Sequence, residues 1–552
     1  MDRSHEHVVK MVIPRRESIF IGVYLALSVI ITTLPTIVFS FAFPLKSRQH
    51  DTALLSLPKL PPQLAYDEYL VEPVIDEYTE RLNEQSKKVF AATLKNGWTL
   101  MPYQSKAIKQ ALELRRLVVA YDMGLGKTLI GCVWAEIMAT VISNLQVIVI
   151  CPKTLQNTWQ STICNSTTIL EHSTSIFSWA SVPPPTDDNT PYLVICDEAH
   201  YMQTMTAQRT KAALKLLLDN CCIGCMLLTG TPLKNGRPKH LFPLLKGVRH
   251  PMANNQQEFE EYFCNGKWRG IGSKRQVWDA NGASHLVELR AHMASHVISL
   301  SKEEALEELP SFRRGPRTIE FPAEFKEPYI KAVQKLKVML QSQHDYTTVL
   351  AASQKVRMVA AHAKVDGTVL LVDKLLSTSE SAVVVFTNFV EVASRVKNGI
   401  EQLGYSCALL NGQVKNQQRQ QLVEDFQAGD IQVMVSTFGT GGLGLTLTAA
   451  RCVVLLDRPW TPGDVAQAED RVRRMGQTRE CIFVWMRCCE WDTQMDALLH
   501  AKQETTNAVM NSQQSSTTNP TVQQLRQMYG TQTKPIRKLS IYETVLKIAA
   551  KL

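Results

Sequence analysis

Short apolar runs rich in β-branched residues recur along the chain at Leu117–Ala120, Gln146–Cys151, Leu193–Cys196 and Met226–Thr229. A second series stands at Ala382–Phe386, Ser406–Leu410, Val433–Ser436 and Cys452–Leu456. Longer amphipathic stretches separate the runs. Strands that alternate with helical segments predict parallel sheets covered by helices on both faces, an α/β architecture. The pattern therefore divides the chain into a lead-in at 51–97, a first α/β unit at 98–250, a helical insertion at 251–375, a second α/β unit at 376–495, and a C-terminal helix with a polar tail at 496–552. Within that tail, Asn511–Gln524 is rich in Ser, Thr, Gln and Asn and reads as a linker.

The first fifty residues stand apart. From Ser18 to Leu45 there is no charge, and Lys10, Arg15 and Arg16 precede the stretch. Its length suits a bilayer span, predicting a membrane anchor. It equally suits a signal peptide cut after Ala42, at Ser40-Phe41-Ala42. The new terminus, Phe43 followed by Lys46 and Arg48, resembles the bipartite presequences of plastids surrounded by extra membranes. Both readings imply a targeting or membrane-contact segment separate from the body; a nuclear location is the alternative.

The chain has 552 residues, 45% hydrophobic and 20% charged, which excludes bulk disorder and a disulfide scaffold. Net charge is +9, compatible with a polyanionic partner. Of 13 cysteines, only Cys222 and Cys225 form a CxxC, and no second Cys/His pair follows at zinc spacing. Cys221, Cys222 and Cys225 thus read as a buried thiol cluster, with no zinc, in a body suited to a reducing compartment.

The chemistry begins after Leu117–Ala120. Tyr121 is followed by Asp122, Met123, Gly124, Leu125, Gly126, Lys127 and Thr128. A glycine turn ending in Gly-Lys-Thr at a helix start lets backbone N–H groups surround phosphate oxygens, with Lys127 on the β/γ-phosphates and Thr128 on Mg²⁺. The strict P-loop pattern has Gly where Tyr121 stands. Downstream, a strand ends in Asp197-Glu198-Ala199-His200. Asp197 suits Mg²⁺ and Glu198 suits activation of the attacking water. Thr229, Gly230 and Thr231 form a hydroxyl-bearing turn suited to coupling hydrolysis to a bound strand. Gln104 offers a two-sided amide for an adenine edge. The expected cofactors are ATP and Mg²⁺.

Trp98–Gln104, Asp122–Thr128, Cys151–Trp159, Asp197–His200 and Thr229–Pro232 resemble the SWI/SNF-type ATPases of helicase superfamily II. Ser436–Ala450 and Gln467–Gln477 extend the resemblance to about residues 90–510. It implies two RecA-like lobes with ATP between them and DNA-stimulated hydrolysis. Arg471 and Arg474, three apart on an expected helix, match the family's finger arginines, framed by Gln467 and Gln477. Arg473 stands where relatives often carry His and is given no role. Trp460–Gly463, Leu445–Leu447 and Gly282–Leu286 are closer to the annealing-helicase branch. Ser295–Leu300 departs from it, because the branch's paired arginines before Lys302 and Glu303 are missing. No branch-specific recognition module, zinc finger or nuclease domain is visible.

DNA contact, expected to be double-stranded and sequence-independent, is assigned to Lys234, Arg237 and Lys239. These begin a run without acids that continues to Lys246 and Arg249, and Lys267, Arg269, Lys274 and Arg275 follow, interleaved with Trp268 and Trp278. The expected function is a DNA-dependent ATPase and translocase. A strand-separating helicase and an inactive scaffold are the alternatives.

Overall fold

The computed structural model describes residues 60, 61, 64 and 74–510, apart from 187–188, 234, 272–274, 307–309, 342–345, 379, 442–444 and 475. The stretch Ser18–Leu45 lies outside the described residues. Among the described residues, no helix is long and apolar enough to cross a membrane.

In chain order the first nine strands are β1 (Arg116–Tyr121), β2 (Gln146–Cys151), β3 (Thr174–Ser178), β4 (Tyr192–Asp197), β5 (Cys222–Leu228), β6 (Lys267–Ile271), β7 (Arg275–Asp279), β8 (Val297–Leu300) and β9 (Phe312–Thr318). The last five are β10 (Val383–Thr387), β11 (Cys407–Leu410), β12 (Val433–Thr437), β13 (Cys452–Leu455) and β14 (Cys481–Arg487). The first lobe is a six-stranded sheet in the order β3-β2-β4-β5-β1-β8, and the second a six-stranded sheet in the order β11-β12-β10-β13-β14-β9. Among the described residues, the strand pairings within both sheets are parallel. Every residue of β1, β4, β10, β12 and β13 is buried, as continuous apolar runs require when helices cover both faces.

The expected helical insertion at 251–375 is corrected by this topology. Its first part returns to the first lobe through a β6–β7 ribbon and β8, which pairs with β1 from Val118↔Val297 to Tyr121↔Leu300. β9 then crosses to the second lobe and pairs with β14. Helices do occupy much of the segment, short ones at Gln256–Phe263 and Leu286–Met293 and longer ones at Ala323–Gln341, Tyr346–His362 and Val365–Thr378. β9 gave no strand signal because it reads Phe-Arg-Arg-Gly-Pro-Arg-Thr and is exposed throughout, an edge strand guarded by charge.

The helix Glu490–Met510 joins the lobes. Trp491 and Met495 pack with Leu336, Val349 and Val356, while Val509 and Met510 enter the first lobe's core. Ser299 Oγ donates to the Met510 carbonyl at 2.6 Å. Its base is fixed by buried ion pairs: Lys364 with Asp492, and Arg458 with Asp496 at 2.5 Å. Cys222 and Cys225 are buried, and Arg116 donates to the Cys222 carbonyl at 2.5 Å and approaches Cys225 Sγ at 3.6 Å.

Candidate active site between the lobes

β1 ends at Tyr121 and the helix Lys127–Val141 starts six residues later; the turn between them is bent by Gly124 (φ +81°) and Gly126 (φ +71°). These left-handed conformations favour glycine. Gly126 has a second reason to lack a side chain, since a Cβ there would collide with the Gln104 carboxamide. Gln104 is buried; its Oε1 accepts from the Met101 N–H at 3.0 Å and its Nε2 donates to the Leu125 carbonyl at 3.3 Å. The glutamine assigned to an adenine edge therefore rests on the phosphate loop. Lys127 Nζ donates to the Tyr121 and Asp122 carbonyls at 2.7 and 2.9 Å. Burial lowers its pKa, against the pull of Glu198, Asp197 and Asp122. Met123 and Leu125 complete the turn, and Thr128 is the second residue of the helix.

β4 delivers the carboxylates. Asp197 is fixed by the Trp159 indole N–H at 2.8 Å and by the Glu198 N–H at 2.9 Å. Burial, with the neighbouring Glu198 charge, pushes it up to about 6. Glu198 has φ +51°, a left-handed backbone unusual for a residue with a long side chain. Burial pushes its carboxyl up, but the adjacent His200 ring and the charges of Lys127 and Arg471 outweigh it and hold the group below its ordinary value. His200 Nδ1 stands 3.1 Å from Glu198 Oε2 and 3.3 Å from Thr231 Oγ1. The Thr231 N–H donates to Thr229 Oγ1 at 3.1 Å. A Cβ on Gly230 would stand 3.0 Å from Met123 Cγ and 3.5 Å from Lys127 Nζ. The Thr229–Thr231 turn thus touches the phosphate loop on one side and, through His200, Glu198 on the other.

The second lobe faces these groups. The expectation of Arg471 and Arg474 on one helix is corrected: the helix Pro462–Glu469 ends before them. Hydrogen bonds from the Arg471 N–H to Ala468 and from the Val472 N–H to Glu469 tighten the chain into a turn. The turn lets successive side chains diverge. Arg471 is buried and its Nε has no hydrogen-bond partner among the described residues. Burial, then the Arg474 charge, push it down to about 10. Arg474 donates to Thr446 Oγ1 at 3.1 Å, and its Cβ is 3.9 Å from where a Gly124 Cβ would stand. Gln467 is buried on the preceding helix. Gln477 ties the second lobe's own loops, donating to the Thr448 and Ala450 carbonyls at 3.1 and 2.8 Å.

Sequence reasoning missed the groups that join the two halves. Lys302, only 3% exposed, sends Nζ to Asp470 Oδ1 at 2.6 Å and to the Arg473 carbonyl at 3.0 Å. Its N–H donates to Asp122 Oδ2 at 3.0 Å. Burial, together with the charges of Asp470 and Glu303, pushes Asp122 up to about 6. Arg473, given no role above, pairs with Glu303 at 2.5 Å and donates to the Pro310 carbonyl at 3.1 Å. The signal was present in Lys302-Glu303, where the branch pattern resumes after its departure. Lys302→Met is expected to leave the half-buried Asp470 without its cation and lower stability by about 3 kcal/mol. Adding Asp470→Asn should recover part of that loss without restoring turnover, which thermal denaturation and ATPase rates on the four proteins of the cycle would check.

The residues assigned to DNA are placed unevenly. Lys234 lies outside the described residues. Arg237 Nη1 and Lys239 Nζ both donate to Asn281 Oδ1 at 2.8 Å, so their cations converge on one amide oxygen at the foot of the β6–β7 ribbon.

The two positive-φ glycines, the half-buried lysine, the adjacent carboxylates and the unsatisfied Arg471 Nε fit a nucleoside triphosphate with Mg²⁺. Residues 188–365 match the SNF2-related domain, and residues 367–476 match the helicase conserved C-terminal domain. Fold and site define a P-loop ATPase of helicase superfamily II. The chain belongs to its SWI/SNF-type, SNF2-related family. It is 26% identical over 442 residues to the DNA annealing helicase and endonuclease ZRANB3 of Mus musculus, covering 75% of this chain and 41% of that protein. It is 26% identical over 419 residues to the SWI/SNF-related matrix-associated actin-dependent regulator of chromatin subfamily A-like protein 1 homolog of Caenorhabditis elegans, covering 70% of this chain and 58% of that protein. The chain therefore spans about half the length of these relatives. The SWI2/SNF2 ATPase core of Sulfolobus solfataricus in complex with dsDNA aligns with 82% of this chain and 99% of that chain, at 20% identity and a TM-score of 0.35.

Proposed function

We propose that this chain is a DNA-dependent ATPase that converts ATP hydrolysis into translocation along double-stranded DNA, without sequence preference, in remodelling or annealing work of a repair type. The observation that carries the proposal is the Thr231–His200–Glu198 chain. It runs from the coupling turn to the water-activating carboxylate, and Arg471 of the opposite lobe bears on the same carboxylate. The names of the relatives, a DNA annealing helicase and a SWI/SNF-related regulator of chromatin, point to the same substrate.

The roles follow from the environments. Glu198, held below its ordinary pKa, is ionised at neutral pH and is the group that takes a proton from water. Lys127 and the backbone N–H groups from Gly124 to Thr128 receive phosphate oxygens. Arg471, buried from the second lobe, supplies positive charge where negative charge develops. Thr128 and Asp197 are the residues that would hold Mg²⁺, which when bound neutralises phosphate charge. Lys302 and Arg473 set the approach of the lobes, so hydrolysis and lobe position are linked through the same few side chains.

Displacement of a third strand from a triplex tests translocation. The chain with ATP should release the third strand and leave the underlying duplex paired. Release of a duplex strand instead would replace translocation with unwinding.

A further inference from the structure

β14 ends at Arg487, and the helix Glu490–Met510 that joins the lobes starts three residues later. Cys488 and Cys489 fill the step between them. Asp492 lies in the first turn of that helix and is buried. The Cys488 N–H donates to Asp492 Oδ2 at 2.9 Å, and the Asp492 N–H donates to the Cys489 carbonyl at 3.1 Å. These two bonds fold the carboxylate back over the cysteines. Cys488 Sγ and Cys489 Sγ each stand 3.6 Å from the same Asp492 Oδ2. The two sulfurs and the carboxylate oxygen all lie within 4.8 Å of one another. Cys488 Sγ also approaches the Ala360 carbonyl at 3.7 Å.

Thiols are weak donors, and a carboxylate oxygen that already accepts an N–H gains little from two of them. The same three atoms make a better ligand set. Zinc takes sulfur at about 2.3 Å and carboxylate oxygen at about 2.0–2.2 Å, in a tetrahedron. The edge of such a tetrahedron between a sulfur and an oxygen is about 3.5–3.7 Å. Both sulfurs already stand at that spacing from Asp492 Oδ2. Cys488 and Cys489 are only partly buried, so a cation can enter and a water can take the fourth position.

Charge points the same way. The other oxygen of Asp492, Oδ1, pairs with the fully buried Lys364. The next cation, Arg458, is held by Asp496 at 2.5 Å. Cysteines that ligate a metal do so as thiolates. Two thiolates, one carboxylate and one ammonium leave a double negative charge, which one divalent cation cancels. Lys364 thus leaves Oδ2 open and trims the site's charge to match. The sequence hides such a site, because adjacent cysteines fall outside the spacing of a CxxC and Asp492 joins them only through the start of the helix.

We propose that Cys488, Cys489 and Asp492 bind one thiophilic divalent cation of the zinc class, against the expectation of no zinc. The cation fastens the end of β14 to the base of the helix that joins the lobes. Cys489 and Tyr329 pack there on the cluster of Trp491, Met495 and Leu336. The metal is structural: it stiffens this joint and takes no part in hydrolysis.

The test is a titration of the reduced, chelator-treated full chain with Co²⁺, without nucleotide, followed by ultraviolet absorption. A thiolate-to-cobalt charge-transfer band reports sulfur ligation, and Co²⁺ on the oxygen ligands Thr128 and Asp197 gives none. The parent should develop the band with about one equivalent of Co²⁺, and Zn²⁺ should abolish it, since zinc binds such sites more tightly than cobalt. Cys488→Ser and Cys489→Ser should each lose most of the band. Zn²⁺ should raise the melting temperature of the parent and leave those of both variants nearly unmoved. A parent without the band overturns the proposal. So does a band of parental size in either variant, which places the metal on other cysteines, and so does an equal thermal shift in all three proteins.

Discussion

Glu198→Gln is expected to bind ATP as the parent does and to hydrolyse it at least ~100-fold more slowly, the loss associated with removing a positioned general base. The substitution keeps the side chain's length and leaves Lys127 and the loop from Gly124 to Thr128 untouched. It removes only the charge that His200, Lys127 and Arg471 stabilise. Lys127→Ala should differ, weakening ATP binding as well as turnover, because the phosphate ligand itself is lost. Single-turnover hydrolysis and equilibrium ATP binding on both variants separate the two effects. Turnover near the parent rate in Glu198→Gln would remove Glu198 from the chemistry.

Arg471→Ala should reduce turnover on the order of 10³-fold or more, the scale of an arginine that meets transition-state charge. Its structural signature should be smaller than that of Lys302→Met. Arg471 is buried with Nε unsatisfied among the described residues, while its charge faces Asp470 and Glu198, so the two effects oppose each other and the melting temperature should change little. Arg471→Lys should not rescue turnover, because an ammonium cannot reproduce the guanidinium fork. Arg474→Ala should behave as a mixed variant, since Arg474 also holds Thr446 of its own lobe. Turnover rates alongside thermal melts decide the matter. An Arg471→Ala protein that hydrolyses ATP normally would place the second lobe outside the active site.

What was legible in the sequence was local. The phosphate loop, the Asp197-Glu198 pair and the Thr229–Thr231 turn each follow an apolar strand, so strand, turn and chemistry lie within a few residues of one another. The structure gathers them around Lys127 and Glu198. What was not legible depends on distant pairing. Lys302 meets Asp470 and Arg473 across the interface, and nothing near Lys302 in sequence announces those partners. β8 is too short and β9 too polar to signal strands, so a segment that supplies an edge to each sheet read as a helical insertion. The three-residue spacing of Arg471 and Arg474 suggests a helix face, but the chain leaves the helix at Glu469 so that each side chain reaches a different site. Arg237 and Lys239 read as DNA contacts, and nothing near them in sequence announces Asn281, the amide on which both converge.

The central claim is that this ATPase is driven by DNA. The measurement is the ATP hydrolysis rate of the full chain as double-stranded DNA is added, at several salt concentrations. The account predicts a rate that rises with DNA at low salt and loses its stimulation as salt increases. If six to ten phosphates are contacted, affinity should fall by roughly 10³–10⁵ between about 50 and 200 mM salt. A rate indifferent to DNA at low salt would contradict the account.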